Sequence, residues 1–386
     1  MPTLFTSLTE HLRAQWKPLR QPTTPRAYRC QCGRPVFFQN TQCLACGTPL
    51  GYEPQRGEVL PLAPGPQVGQ WRLFHDGEAR PLFHRCGNFD SPAGCNWLIP
   101  LDEAGHAPPL CAACRLNRTI PDLSVPDNLP LWAKVEATKR RLVSQLIALG
   151  LPVVPKSEDD AHGLAFDFLR PLPGQPAMTG HADGVITINI EEADDAKREQ
   201  VRAQMAEPYR TLLGHFRHEV GHYYWDRLVR DSAWLPEVRT LFGDDRADYA
   251  AALKRHYNDG PPADWPQRFV TAYASVHPWE DWAETWAHYL HMVDTVDTAL
   301  SFGIDADQVQ LDVEPWGPDA LWRPEDPGAA DFLGFLNAWV ELTAVLNELS
   351  RSMGQPDFYP FVLPRPAVAK LQLIHAVVQG QPLSRP

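Results

Sequence analysis

Along the first third of the chain, apolar positions come in short bursts such as Val36-Phe37-Phe38 and Trp71 to Phe74, separated by Pro and Gly. That pattern predicts small strands and turns without a large core of their own, tied together by metal. Three prolines, Pro121, Pro126 and Pro130, then mark a linker over 119–130. From Leu131 to Leu149 the spacing changes to that of a helix (Leu131, Trp132, Val135, Leu142, Val143, Leu146, Leu149), which Gly150 and Pro152 end. Two strands are expected next, Leu164 to Leu169 and Val185 to Ile190, the second alternating as Ile/Thr/Ile/Asn/Ile. Helices follow, at roughly 194–206, 209–230, 245–257, 278–299, 330–352 and 366–378. The expected fold class is α+β, with a strand-and-turn region at 1–123 and a mainly helical domain with a small sheet at 124–386.

Composition adds boundaries rather than a fold. With 386 residues, 44% of them apolar, the chain can bury a sizeable core. No stretch approaches the run of about 20 apolar residues that a spanning helix needs, and Met1 to Lys17 lacks the basic-then-apolar plan of a secretory signal. A cytoplasmic protein without membrane association is therefore expected. The net charge of -12 argues against nucleic-acid partners, which need a surplus of Lys and Arg. Residues 1–120 hold 12 Lys/Arg against 8 Asp/Glu, but two zinc ions in four-thiolate sites, at about -2 each, would cancel that surplus.

The chemistry concentrates in His218-Glu219-Val220-Gly221-His222. Two histidines four apart on a helix project from one face and can share a metal ion, with Glu219 beside them. Two neutral imidazoles would hold zinc while the carboxylate takes a proton from a water whose pKa the metal has lowered. Zinc needs a third protein ligand, and Glu280 is the expected one. Pro278 suits the first turn of its helix, and Trp279, Trp282 and Trp286 argue for burial. Glu284, one turn on, suits a hydrogen bond to a ligand histidine and is the substitute ligand. A donor must also face the developing oxyanion, for which Tyr273, His277 and His181 are candidates. His215, His288 and His291 are expected to pack or support rather than bind metal. The strand from Val185 to Ile190 is a candidate edge for pairing with an extended substrate.

All eight cysteines lie between Cys30 and Cys114. Cys30, Cys32, Cys43 and Cys46 form two pairs, and Gly33 and Gly47 permit the tight turns of zinc knuckles. The set reads as a zinc ribbon, although one residue rather than two separates the first pair. Cys86, Cys95, Cys111 and Cys114 are the ligands of a second expected four-cysteine site; free buried cysteines or a redox pair at Cys111 and Cys114 are the alternatives.

The cysteine-rich front, Gly180 to Gly184, Tyr209 to Glu219 and His277 to Asp281 together resemble a bacterial family of zinc-binding metallopeptidases that carry an amino-terminal zinc-ribbon domain. The resemblance spans roughly residues 28–299 and implies a zincin-like peptidase of the gluzincin type, with a glutamate as third ligand. The spacing of Tyr273, Glu280 and Glu284 is similar to that of lethal-factor-type zinc peptidases, which puts Tyr273 first among the donors. The expected function is hydrolysis of peptide bonds in a peptide or protein substrate, with one catalytic zinc and one or two structural ones. The competing reading is a zinc-ribbon adaptor that binds a protein or nucleic acid beside an inactive peptidase-like domain.

Overall fold

The computed structural model describes residues 23–380, apart from positions 24, 77–80, 173, 175, 176, 206, 305–308, 310, 312 and 313. The cysteine-rich region begins with a two-stranded ribbon, β1 (Tyr28–Arg29) against β2 (Pro35–Val36). A five-stranded antiparallel sheet follows in sequence order: β3 (Leu50–Glu53), β4 (Glu58–Pro64), β5 (Gln70–Leu73), β6 (Phe83–Arg85) and β7 (Leu98–Pro100). It curls until its edges touch, where the Tyr52 amide donates to Asn96 O at 2.8 Å. Gly51 allows this closure, because a methyl group there would sit 2.6 Å from the Leu98 side chain.

A second sheet has the order β10-β11-β9-β8, with β8 at Asn117–Thr119, β9 at Ala165–Leu169, β10 at Gly180–Ala182 and β11 at Val185–Asn189. β8 and β11 run parallel to β9, and β10 runs antiparallel to β11. The cysteine-rich region thus lends its last strand, β8, to the sheet of the helical half. β11 was the expected substrate-pairing edge. It is instead internal, flanked on both sides, and the edge falls to β10.

Eight α-helices follow the cysteine-rich region among the described residues: α1 (Asn128–Ala148), α2 (Asp195–Gln204), α3 (Leu212–Leu228), α4 (Leu235–Phe242), α5 (Tyr249–Asp259), α6 (Pro278–Ser301), α7 (Ala329–Ser352) and α8 (Arg365–Val378). α1 starts before Pro130, which sits in the first turn, where backbone N–H groups have no intrahelical partner to lose. α7 departs from the membrane expectation, being long and apolar enough to cross a membrane. Here it turns Phe332, Phe335, Leu336, Trp339 and Leu342 into the core.

One core runs through both halves, joining Tyr52 and Trp97 of the first sheet to Trp132 of α1, Phe166 of β9, Phe216 of α3 and Trp286 of α6. Arg26 fastens the same junction. It donates from Nε to Asp294 Oδ1 of α6 at 3.0 Å and from Nη1 to Ser144 Oγ of α1 at 3.1 Å.

Candidate metal centre

α3 begins where Thr211 caps it, its hydroxyl accepting from the Gly214 amide at 2.9 Å. Its next turns are buried, with Phe216, Val220, Tyr224 and Trp225 in the core, Glu219 buried as well, and His218 and His222 against Glu280 of α6. The close approach of α6 depends on Gly221. A β-carbon there would lie 2.9 Å from the Ala283 α-carbon, and the Trp282 indole donates to Gly221 O at 2.9 Å. α6 is started by His277, whose Nδ1 accepts from the Trp279 amide at 3.1 Å, and by Pro278 in the first turn.

This crossing brings together His218, His222 and Glu280, all buried. Glu280 Oε2 lies 3.0 Å from His218 Nε2 and 3.5 Å from His222 Nε2, and the two nitrogens are 3.2 Å apart. Ligands about 2.0–2.1 Å from a tetrahedral zinc stand about 3.3 Å from one another, so the triangle has the right size. Glu280 Oε2 is buried without a hydrogen-bond partner, which in a low-dielectric interior calls for a cation. Glu284 is not in the trio. Its Oε1 accepts from His218 Nδ1 at 2.7 Å while its Oε2 accepts from Thr271 Oγ1 at 2.7 Å. A proton held on Nδ1 leaves the Nε2 lone pair for a metal.

The ionisation states follow the same contacts. Burial works against charge on His218, but the adjoining carboxylates of Glu280 and Glu284 outweigh it and push its pKa well above the ordinary range. Burial works against charge on Glu280 as well, and the two histidines outweigh it and hold the carboxyl well below its usual value.

Glu219 keeps Oε2 buried and unpartnered beside the trio, and its Oε1 lies 3.9 Å from His215 Nε2. His215 in turn hydrogen-bonds Glu192 through Nδ1. The Tyr273 ring is 6.0 Å from that of His218, centre to centre. Of the other two donor candidates, His181 on β10 stacks on His222 with ring centres 6.3 Å apart, and burial pushes its pKa down to about 4. His277 is spent, since its Nδ1 caps α6 and its Nε2 donates to Ala247 O at 3.0 Å. His288 bonds Tyr359 and His291 bonds Arg217, and neither belongs to the trio.

Three contributors escaped sequence reasoning. The Trp279 ring lies 3.8 Å from that of His222, Thr271 steadies Glu284, and the Tyr249 hydroxyl donates to Glu280 Oε1 at 2.7 Å. Trp279 was visible as the neighbour of Glu280, but no spacing marks Tyr249, which arrives from another helix. Tyr249 and Trp279 also wall an open cavity of about 500 Å³ that extends to Trp225, Arg230 and Leu235.

Both cysteine sets also converge. Cys30, Cys32, Cys43 and Cys46 form one cluster, half of it exposed, and Cys86, Cys95, Cys111 and Cys114 form another that is wholly buried. The sulfurs of Cys30 and Cys46 are 3.6 Å apart, those of Cys32 and Cys43 3.8 Å, and those of Cys95 and Cys111 3.7 Å. A disulfide needs about 2.05 Å, whereas thiolates around one tetrahedral zinc stand about 3.8 Å apart. Gly33 and Gly47 take positive φ, 81° and 72°, in the two knuckle turns. The second set of four sulfurs is thus gathered as a metal-ligand set would need, with none of them in a disulfide.

Comparison with known proteins agrees with this picture. A zinc-ribbon domain family matches residues 27–125. Three mycobacterial proteins, one from Mycobacterium bovis and two from strains of Mycobacterium tuberculosis, are each 42% identical over 355 residues, covering 92% of this chain and 95% of their own. Each is described only as an uncharacterized protein. No solved structure matches. Residues 128–377 match the family described as "Putative zinc-binding metallo-peptidase", and the chain belongs to that family.

Proposed function

We propose that the chain is a zinc-dependent hydrolase of peptide bonds, with His218, His222 and Glu280 as the metal ligands and Glu219 as the general base. The observation that carries this reading is the convergence of two imidazole nitrogens and one orphaned carboxylate oxygen, with a second unpartnered carboxylate, Glu219, beside them. His218, His222 and Glu280 would hold the zinc, which when bound would supply Lewis acidity and lower the pKa of a water. Glu219 Oε2 is the group able to accept the proton of an attacking water, since no hydrogen bond engages it. Glu284 holds the His218 proton at Nδ1. Tyr273, close to His218, is the proposed hydrogen-bond donor to the oxygen of the scissile carbonyl.

The substrate is a peptide or protein chain. β10, at the sheet edge with His181 stacked on a metal ligand, offers main-chain groups along which an extended peptide could lie. The cavity beyond Trp279 offers room for a side chain. Eight cysteines gathered in two clusters without a disulfide suit a reducing compartment and support a cytoplasmic placement. The first cluster, with Leu44 fully exposed at its knuckle, offers a protein partner a contact.

The test is Glu219→Gln. The variant is expected to retain zinc at the His218/His222/Glu280 site and to lose cleavage of a mixed peptide digest by a factor of about 10² or more. Full activity in that variant would sink the mechanism, and a zinc-loaded wild type that cleaves no peptide would favour the adaptor reading.

A further inference from the structure

The carboxylate of Glu280 has two oxygens in different surroundings. Oε2 faces the two imidazoles, while Oε1 accepts a hydrogen bond from Tyr249. Tyr249 is itself held from several directions. It opens α5, whose cap Asp248 accepts from the Ala251 amide at 2.9 Å. Its ring stands edge-on to His277, 5.4 Å between centres, and to Trp279, 5.9 Å. His277 ties the stretch before α5 to the start of α6: its Nδ1 accepts from the Trp279 amide, so its Nε2 carries the proton donated to Ala247 O. The tyrosine hydroxyl and the carboxylate, 31 residues apart, are thus fixed against each other by a histidine that caps the helix carrying the carboxylate.

We infer that Tyr249 is a positioning residue for the third metal ligand: its hydroxyl occupies Oε1 of Glu280 and leaves Oε2 as the single oxygen offered to the metal. The inference rests on the metal site of the proposed function, but not on what that site cleaves. A carboxylate with one oxygen pinned cannot swing to present both, so a coordination position stays open for water and substrate. The contact also couples the ligand to the cavity, since Tyr249 forms part of its wall.

The experiment uses the full chain and zinc itself as the probe. Zinc affinity is measured by chelator competition in wild type and in Tyr249→Phe, which keeps the ring against His277 and Trp279 and removes only the hydroxyl. Affinity at the His/Glu site should fall about 10- to 100-fold, with zinc at the cysteine clusters and the melting temperature of the apo His/Glu site unmoved. Cobalt at the same site reports coordination directly. Its visible absorption should weaken in Tyr249→Phe as the freed Oε1 raises the coordination number. In a Glu280→Gln background the Tyr249 substitution should add little, because the charged acceptor is gone. Zinc affinity within twofold of wild type and an unchanged cobalt spectrum would overturn the inference. A wild-type chain that takes no zinc at this site would overturn the metal-site reading as well, so the two failures are told apart. Should Tyr249→Phe not fold, the Glu280→Gln cobalt spectrum decides: no change from wild type overturns the role given to the carboxylate and its tyrosine.

Discussion

The α-carbon of Ala283 lies 2.9 Å from where a methyl group on Gly221 would be, so the helix carrying His218 and His222 touches the helix carrying Glu280 almost backbone to backbone. In an ordinary exposed helix, Gly→Ala stabilises by up to about 1 kcal/mol. Here the sign should reverse. Gly221→Ala must push α3 from α6, moving both histidines relative to Glu280. We expect a lower melting temperature, by about 1–3 kcal/mol of stability, together with weaker zinc binding at that site. Thermal melts and zinc competition on the same sample check both.

The two cysteine clusters should differ in how they give up metal. Cys32 and Cys46 are exposed, whereas all four sulfurs of the second cluster are buried, and Cys114 lies 3.9 Å from Glu136 of α1. Titration with a thiol-modifying reagent is expected to release zinc in two phases, the first without loss of helical circular dichroism. The second should coincide with unfolding, because Cys114 leads directly into β8 and the sheet. Simultaneous release from both clusters would contradict this.

His288 gives the fold a pH dependence of definite sign. Burial lowers its pKa from 6.5 to about 4, against an opposing pull from Glu284, with His218 and His291 also nearby and its Nδ1 on Tyr359. The unfolded chain takes up a proton near pH 6.5 and the folded chain only near 4, so stability is complete above 6.5 and declines as pH falls between those values. The loss from this group reaches on the order of 3 kcal/mol. His288→Gln should flatten the decline, as read from urea melts at pH 7, 6 and 5; parallel curves would count against it.

Much of the helical half was legible because its periodic segments are long. α6 was expected over 278–299 and runs over Pro278–Ser301, and α8 was expected over 366–378 and runs over Arg365–Val378. α4 was not seen. It is only eight residues long, and Pro236 in its first turn reads as a gap. The five-stranded sheet was expected only as scattered strands, since β4 carries Pro61 and Pro64, residues that argue against a paired strand. β10 opens with Gly180 and is three residues long, so the sheet edge was assigned to its better-patterned neighbour β11. At the site, motif spacing reveals residues that share a helix, such as His218 with His222 and Glu280 with Glu284. Contacts such as Tyr249 to Glu280 depend on where two helices cross, which no local pattern encodes.

Arg26 carries a consequence for how the chain can be divided. Asp294 receives Arg26, Arg141 and Arg217, and Arg217 immediately precedes His218 of the buried trio. A shortened chain starting at 124 would lose Arg26 from that buried cluster, lose Arg118 from its pair with Asp167, and bare the side of β9 that β8 covers. The front region therefore behaves less as a detachable accessory than as a keystone set into the helical half, whose buried charge cluster and sheet it completes.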